Sequence, residues 1–190
     1  MKILFASSNK HKAKEIKHIL SEHEVITLDM LNDNDDVEET SDEYEGNAFL
    51  KADHFYQKYK MPVIADDSGI SVEAMDGGPG VYSARYAGEK CTPKDNRVKM
   101  LKFLEGVTNR KAKFVCAICY INEEGKARFF RGETEGEILL EEDGDPSFGY
   151  DCIFYSYDLK QSFGRAKEED KNKVSHRGRA VKLLAEYLKK

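Results

Sequence analysis

The chain has 190 residues, 40% of them hydrophobic and 34% charged, with 30 lysines and arginines against 35 aspartates and glutamates. A single domain of that length buries roughly 70% of the surface its unfolded form exposes, and a net charge of -5 argues against binding duplex nucleic acid by general phosphate neutralisation. No apolar run approaches the roughly 18 residues of a membrane span and the N-terminus lacks the apolar stretch of a signal peptide, so a cytoplasmic protein with no membrane or nucleic-acid partner is expected.

Residues 2–6 read as an opening strand, Ser7-Ser8-Asn9 as a tight polar turn, and residues 10–23 as a helix whose Ala13, Ile16, Ile19 and Leu20 share one face. Free backbone N–H groups and the positive helix end meet at such a turn and favour phosphate. The glycines and Gly-Lys-Ser/Thr ending of a Walker A loop are absent, and a capped helix with surface lysines looks the same. After a short strand at 25–28, residues 32–45 form an acidic stretch read as a surface loop, which solubility alone would explain. A helix over 44–59 buries Ala48, Ala52, Phe55, Tyr56 and Tyr59, and the four-residue spacing of Asn47 and Lys51 sets them on one side.

The apolar run Pro62-Val63-Ile64-Ala65 ends at Asp66-Asp67-Ser68-Gly69, so two carboxylates are expected at the carboxyl end of a buried strand, where α/β folds collect ligands. Strand alternation points the two acids in different directions, and one of them suffices for Mg²⁺ with water and substrate phosphate. The same four residues would also make a turn. A further alternating segment, 70–74, is broken by Gly77-Gly78-Pro79-Gly80. Residues 96–104 read as a helix, and 112–121 with 126–134 as an antiparallel hairpin.

The loop 144–150 leads through Phe148-Gly149-Tyr150-Asp151, an aromatic and carboxylate set suited to a nucleobase or to ordinary packing, into a strand at 152–155. The last helix is expected from Ser175 as N-cap to residue 188, with Val181, Leu184 and Leu188 inward; His176 and Arg177 add donors at its positive end, within reach of Lys171. Of four cysteines, Cys116 and Cys119 lie in an apolar run with no second pair at zinc spacing, so buried free thiols are expected.

Together, Ala6-Ser7-Ser8-Asn9 with Lys12 and Glu15, Glu38-Glu39-Thr40 with Asn47-Ala48 and Leu50-Lys51-Ala52, Ala65-Asp66-Asp67-Ser68-Gly69, the run from Pro79 to Tyr86, Phe148-Gly149-Tyr150-Asp151, and Lys171 with Ser175-His176-Arg177 closely resemble the inosine triphosphate (XTP/dITP) pyrophosphatase family. Six segments in family order over nearly the whole chain are far more specific than any one alone. The resemblance implies an α/β fold with a long mixed sheet flanked by helices, one domain over 1–190 with two lobes and a central active-site cleft, and a homodimer. It implies Mg²⁺-dependent hydrolysis of ITP, dITP and XTP to monophosphate and pyrophosphate. By that analogy Ser7, Ser8, Asn9, Lys12, Lys51 and Ser68 contact substrate, Asp67 is general base and metal ligand, and Glu39, with Glu38 as alternative, is the second metal ligand. Phe148, Gly149, Tyr150, Asp151, Lys171, His176 and Arg177 match the base-recognition set.

Donors facing a 6-carbonyl would be stranded opposite an adenine amino group, at roughly 1–3 kcal/mol each. A broader nucleoside triphosphate pyrophosphatase and a non-hydrolysing nucleotide sensor are the alternatives. The chain departs from the family pattern at Ser8, Ser147, Cys152 and Arg165-Ala166-Lys167, which bears on loop geometry and dimer contacts but not on the proposed chemical groups.

Overall fold

The computed structural model describes all residues, 1–190. Seven strands form one sheet in the order β2-β1-β3-β4-β5-β6-β7: β1 Lys2–Phe5, β2 Glu24–Thr27, β3 Val63–Val72, β4 Lys111–Ile121, β5 Ala127–Ile138, β6 Phe154–Ser156 and β7 Gln161–Ser162. The sheet is mixed. β1 runs parallel to β2 and β3, while β6 is antiparallel to β5 and β7. Five helices accompany it: α1 Lys10–Ile19, α2 Tyr44–Tyr59, α3 Pro93–Phe103, α4 Glu168–Val174 and α5 His176–Leu188. No helix is long and apolar enough to cross a membrane.

The chain divides into two compact units. The first comprises Met1–Asp67, Cys116–Gly132 and Gly178–Lys190; the second comprises Ser68–Val115 and Glu133–Arg177. Within the first, strand alternation sorts side chains between two apolar clusters. Ile3, Phe5, Ile64, Cys116 and Ile118 pack with Ile16 and Leu20 of the α1 region and Val181 and Leu184 of α5. Leu4, Val63, Ala65, Cys119 and Ile121 pack with Ala48, Ala52 and Phe55 of α2. Cys116 and Cys119, three apart on β4, therefore fall on opposite faces as buried free thiols. Both sides of these strands are covered, which is why they read as unbroken apolar runs.

The second unit has one core. Ile70 and Val72 of β3, Met100 and Leu104, Phe114 and Ile138 enclose Tyr150, Cys152, Ile153, Phe154 and Phe163. The ring of Phe114 lies 4.5 Å from that of Phe154 and 5.9 Å from that of Phe163, centroid to centroid.

Several boundaries differ from the sequence reading. β3 does not end at Ala65 but continues through the acid pair to Val72, so Asp66 and Asp67 lie within a strand, not at its end, and the turn alternative fails. Gly69 is there for close approach: a Cβ would stand 2.2 Å from the Gly80 carbonyl oxygen and 2.7 Å from Ser83 Oγ. α1 stops at Ile19, since after Leu20 there is no further apolar face to bury. α3 starts three residues earlier than expected, on a capping box between Thr92 and Asp95 with Pro93 in the first turn.

The strand expected at 152–155 begins only at Phe154, after a 3₁₀ turn over Asp151–Ile153. The short β7 and α4 were not expected. α4 has no buried residue and is marked only by charge, with Glu168, Glu169 and Asp170 in its first turn and Lys171 and Lys173 in its last, a dipole signal that apolar periodicity misses. β4 and β5 are sheet neighbours joined by a turn in which Asn122 N donates to Lys126 O.

Candidate active site

In the first unit Asn9 caps α1, its Oδ1 accepting from His11 N at 3.0 Å and Lys12 N at 3.1 Å, while Asn9 N donates to Ser7 Oγ at 3.1 Å. Side chains shape this turn in place of glycines. In the first turn of α1, Lys12 Nζ reaches Asp66 Oδ2 at 2.8 Å, and the Asp66 carboxylate is almost fully buried. Its neighbour Asp67 accepts from Asn47 Nδ2 at 3.2 Å and is hydrogen-bonded to Glu39. The adjacent acids thus take separate partners, as strand alternation requires.

The acidic loop is pinned to α2 at both ends. Asp33 is buried and accepts from Lys58 Nζ at 2.6 Å and Tyr59 Oη at 2.5 Å; at the other end Ser41 N donates to Asn47 Oδ1 at 2.8 Å. Between these anchors Glu39 Oε1 lies 3.4 Å from Lys51 Nζ. Glu38 is exposed, so Glu39 is the acid presented to Asp67 and Lys51. A cavity of ≈ 420 Å³ has Ser7, Ser8, Lys12, Glu39 and Lys51 in its wall.

Electrostatics follow from this crowding. Burial, then the charge of Glu39, pushes the Asp67 carboxyl up to about 7, with Lys51 and Asn47 opposing. Burial works against the Lys51 charge, but Asp66, Glu39 and Asp67 outweigh it and raise its pKa. Two touching carboxylates share a proton unless a cation joins them.

In the second unit the Phe148–Asp151 segment is held from below. Tyr150 is buried and its hydroxyl donates to the Ser83 carbonyl at 2.6 Å; Arg97 Nη1 donates to the Gly149 carbonyl at 2.8 Å. Phe148 is 45% exposed, with Lys171 Nζ 5.3 Å from its ring centroid and 2.5 Å from Asp151 Oδ2. His176 stacks on Phe114 with centroids 5.0 Å apart and planes 16° from parallel.

The Ham1 family profile matches residues 3–187. The chain belongs to the Ham1 family. It is 46% identical over 189 residues to a dITP/XTP pyrophosphatase of Flavobacterium johnsoniae, covering 99% of this chain and 98% of the relative. A dITP/XTP pyrophosphatase of Porphyromonas gingivalis is 44% identical, covering 98% and 97%. Among solved structures, the Ham1 protein of Staphylococcus aureus superposes with a TM-score of 0.93 at 39% identity over 100% of this chain and 98% of that one. A HAM1 protein from Coxiella burnetii gives the same TM-score at 35% identity, with the same coverage.

Against this Ham1 fold, the expected residues fall into two groups. Ser7, Ser8, Lys12, Glu39 and Lys51 share one cavity, which Asn9 shapes through its capping and Asp67 adjoins through Glu39. Phe148, Asp151 and Lys171 form a second cluster, with Gly149 and Tyr150 as its backbone and its anchor. Ser68 follows Asp67 on β3, half-buried, and Arg177 follows His176, also half-buried. Asp66, Asn47, Ser83 and Arg97 carry structural duties that no role was given from sequence. A sequence signal existed for Arg97, the one charged residue in step with Met100, Leu101 and Leu104 on the apolar side of α3.

The departures are absorbed locally. Cys152 is buried in the core, Ser147 N donates to Asp145 Oδ1 at 2.8 Å, and Arg165 forms an ion pair with Asp143. No group of three or more His, Cys, Asp or Glu side chains is arranged to hold a metal ion. The Glu39 and Asp67 pair nevertheless suits Mg²⁺, which takes one or two carboxylates and completes its shell with water and substrate phosphates.

Proposed function

We propose that the chain is a nucleoside triphosphate pyrophosphatase, hydrolysing ITP, dITP and XTP to the monophosphate and pyrophosphate in the cytoplasm, as a homodimer requiring Mg²⁺. The observation that carries this is the buried Asp67 carboxyl hydrogen-bonded to Glu39 beside Lys51. The relatives' activity supports the reaction, and their identity over nearly the full length supports its transfer to this chain.

In this reading Ser7 and Ser8, at the positive end of α1, receive phosphate oxygens, and Lys12, Lys51 and Asn9 add positive charge and donors. Asp67 and Glu39 would hold Mg²⁺, which when bound neutralises charge on the phosphates and departing pyrophosphate. Asp67 takes the proton from the attacking water at the α-phosphorus, a contribution of about 10²–10⁴-fold. Ser68, the half-buried hydroxyl next along β3, is assigned to the substrate in the same reading.

At the other end of the nucleotide, Phe148 offers an exposed ring for stacking, and Lys171, His176 and Arg177 supply donors for the 6-carbonyl, with Asp151 accepting from ring N–H groups. Adenine would leave those donors unpaired, which costs roughly 1–3 kcal/mol each.

The test is pyrophosphate release from ITP, XTP, GTP and ATP side by side, with Mg²⁺ and with chelator. Release from ITP and XTP far above ATP, abolished by chelator, is expected. Orthophosphate as the sole phosphorus product would reject the reading, and tight ITP binding without turnover would make the protein a sensor.

A further inference from the structure

Arg97 is the one buried arginine, with a side chain 3% exposed, and no step of the proposed reaction uses it. It projects from α3 into the second unit. There Nε donates to Glu142 Oε1 at 2.8 Å and Nη1 to the Gly149 carbonyl at 2.8 Å. Both partners belong to the loop between β5 and β6, seven positions apart.

Stability alone does not account for such a residue. A buried ion pair loses in desolvation about what it gains in attraction, and well-packed apolar residues of similar volume often serve as well. What the guanidinium offers is geometry: a planar fork with donors at fixed angles, so two points of the loop are set relative to one helix.

The point held by Nη1 matters most. Gly149 sits between Phe148 and Tyr150 with φ of +34°, in the left-handed region that favours glycine. Fixing its carbonyl fixes the Gly149–Tyr150 peptide plane, one residue from the exposed Phe148 ring. The next bonds carry this onward: Asp151 N donates to Phe148 O at 3.1 Å, Gly164 N to Asp151 O at 3.1 Å, and Lys171 Nζ meets Asp151 Oδ2. Buried donors below the loop thus determine where the ring and the carboxylate above it stand.

We propose that Arg97 is a positioning residue for base discrimination, holding the Phe148–Asp151 segment in the geometry that separates a 6-keto purine from a 6-amino purine. The inference rests on the reading of that segment as the base-contacting one. Arg97 touches no substrate; its effect passes through the Gly149 carbonyl. A loop freed from it samples more positions, and each donor or ring contact to the base is then made in a smaller fraction of them.

The experiment compares Arg97→Met, Arg97→Lys and Glu142→Gln with the unaltered protein. The readouts are kcat/KM for ITP and ATP, and amide hydrogen exchange of residues 149–153 in the absence of nucleotide. In Arg97→Met the ITP-over-ATP ratio is expected to narrow about tenfold, the scale of one well-placed hydrogen bond, mainly through KM for ITP. Exchange in 149–153 should accelerate while that of β4 does not. Arg97→Lys, whose point charge cannot fork to both acceptors, should also narrow the ratio; Glu142→Gln keeps an acceptor for Nε and should preserve it.

A purely structural Arg97 would lower kcat for both nucleotides in proportion and leave the ratio unchanged, which would overturn the inference. If Arg97→Met does not fold, Arg97→Lys decides by the same ratio. Absence of ITP turnover in the unaltered protein would count against the proposed function alone; exchange at 149–153 would still report whether Arg97 holds the segment, and unchanged exchange there would overturn its role.

Discussion

Lys12 with Asp66 and Lys51 with Glu39 place opposite charges in contact around the first unit's cavity, whereas Gly149 and Tyr150 in the second unit are held through backbone carbonyls, that of Gly149 by Arg97 and that of Ser83 by the Tyr150 hydroxyl. In the proposed reading the contrast matches what each end of a nucleotide presents. A triphosphate and its cation demand charge that stays charged in a half-buried place, so lysines and carboxylates there are arranged as mutual counter-ions. A purine demands a flat surface and a few donors at fixed distances, which a segment fixed through its backbone carbonyl supplies. Damage should therefore appear as lost chemistry or lost stability in the first unit and as lost discrimination in the second.

The largest effect is expected from Asp67→Asn. The amide keeps the shape and the contact with Asn47 but cannot accept the proton, so kcat should fall by about 10²–10⁴-fold while the melting temperature stays close to that of the unaltered protein. Pyrophosphate release and a thermal melt measure both, and an unchanged kcat would remove Asp67 from the reaction.

Next comes the stability carried by Lys12. Lys12→Met takes from Asp66, 1% exposed, the ammonium that contacts its carboxylate, a loss of about 3 kcal/mol in urea unfolding. The exposed pair Lys126–Glu124 serves as control, since Lys126→Met should cost about 0–1 kcal/mol. Equal losses would mean that burial does not distinguish the two pairs.

The smallest effect concerns pH. The hydrogen bond from Lys58, then that from Tyr59, holds the Asp33 carboxyl well below the usual carboxylate range. Below its unfolded pKa of about 3.9 the unfolded chain binds this proton first, so the stability is present above that pH and lost as pH falls further. Lys58→Met should raise the midpoint of acid unfolding, followed by circular dichroism. An unchanged midpoint would show that the loop's anchor to α2 does not depend on this bond.

The residues of both clusters were legible because they break an apolar pattern: Asp67 after Val63-Ile64-Ala65, Lys51 on the buried side of α2 in step with Ala48 and Phe55, and Asp151 ahead of a buried strand. α2 was legible to the residue, since its apolar spacing and its limits coincide. α4 was not, since nothing in it is buried. The division of labour between adjacent residues was not legible either. Asp66 and Asp67 look alike in sequence, and Tyr150 looks as available to a base as Phe148.

By itself, then, the sequence determined the alternation of strands and helices, the two sets of chemical groups and the kinship they imply, because burial periodicity and short motifs are local and survive in one dimension. Only the tertiary structure decided that β3 runs on through the acids, that Asp66 serves Lys12 while Asp67 meets Glu39, and that Arg97 lies beneath Gly149. Those depend on which distant segments pack together, and a partner 20 to 54 residues away along the chain leaves no mark in local spacing.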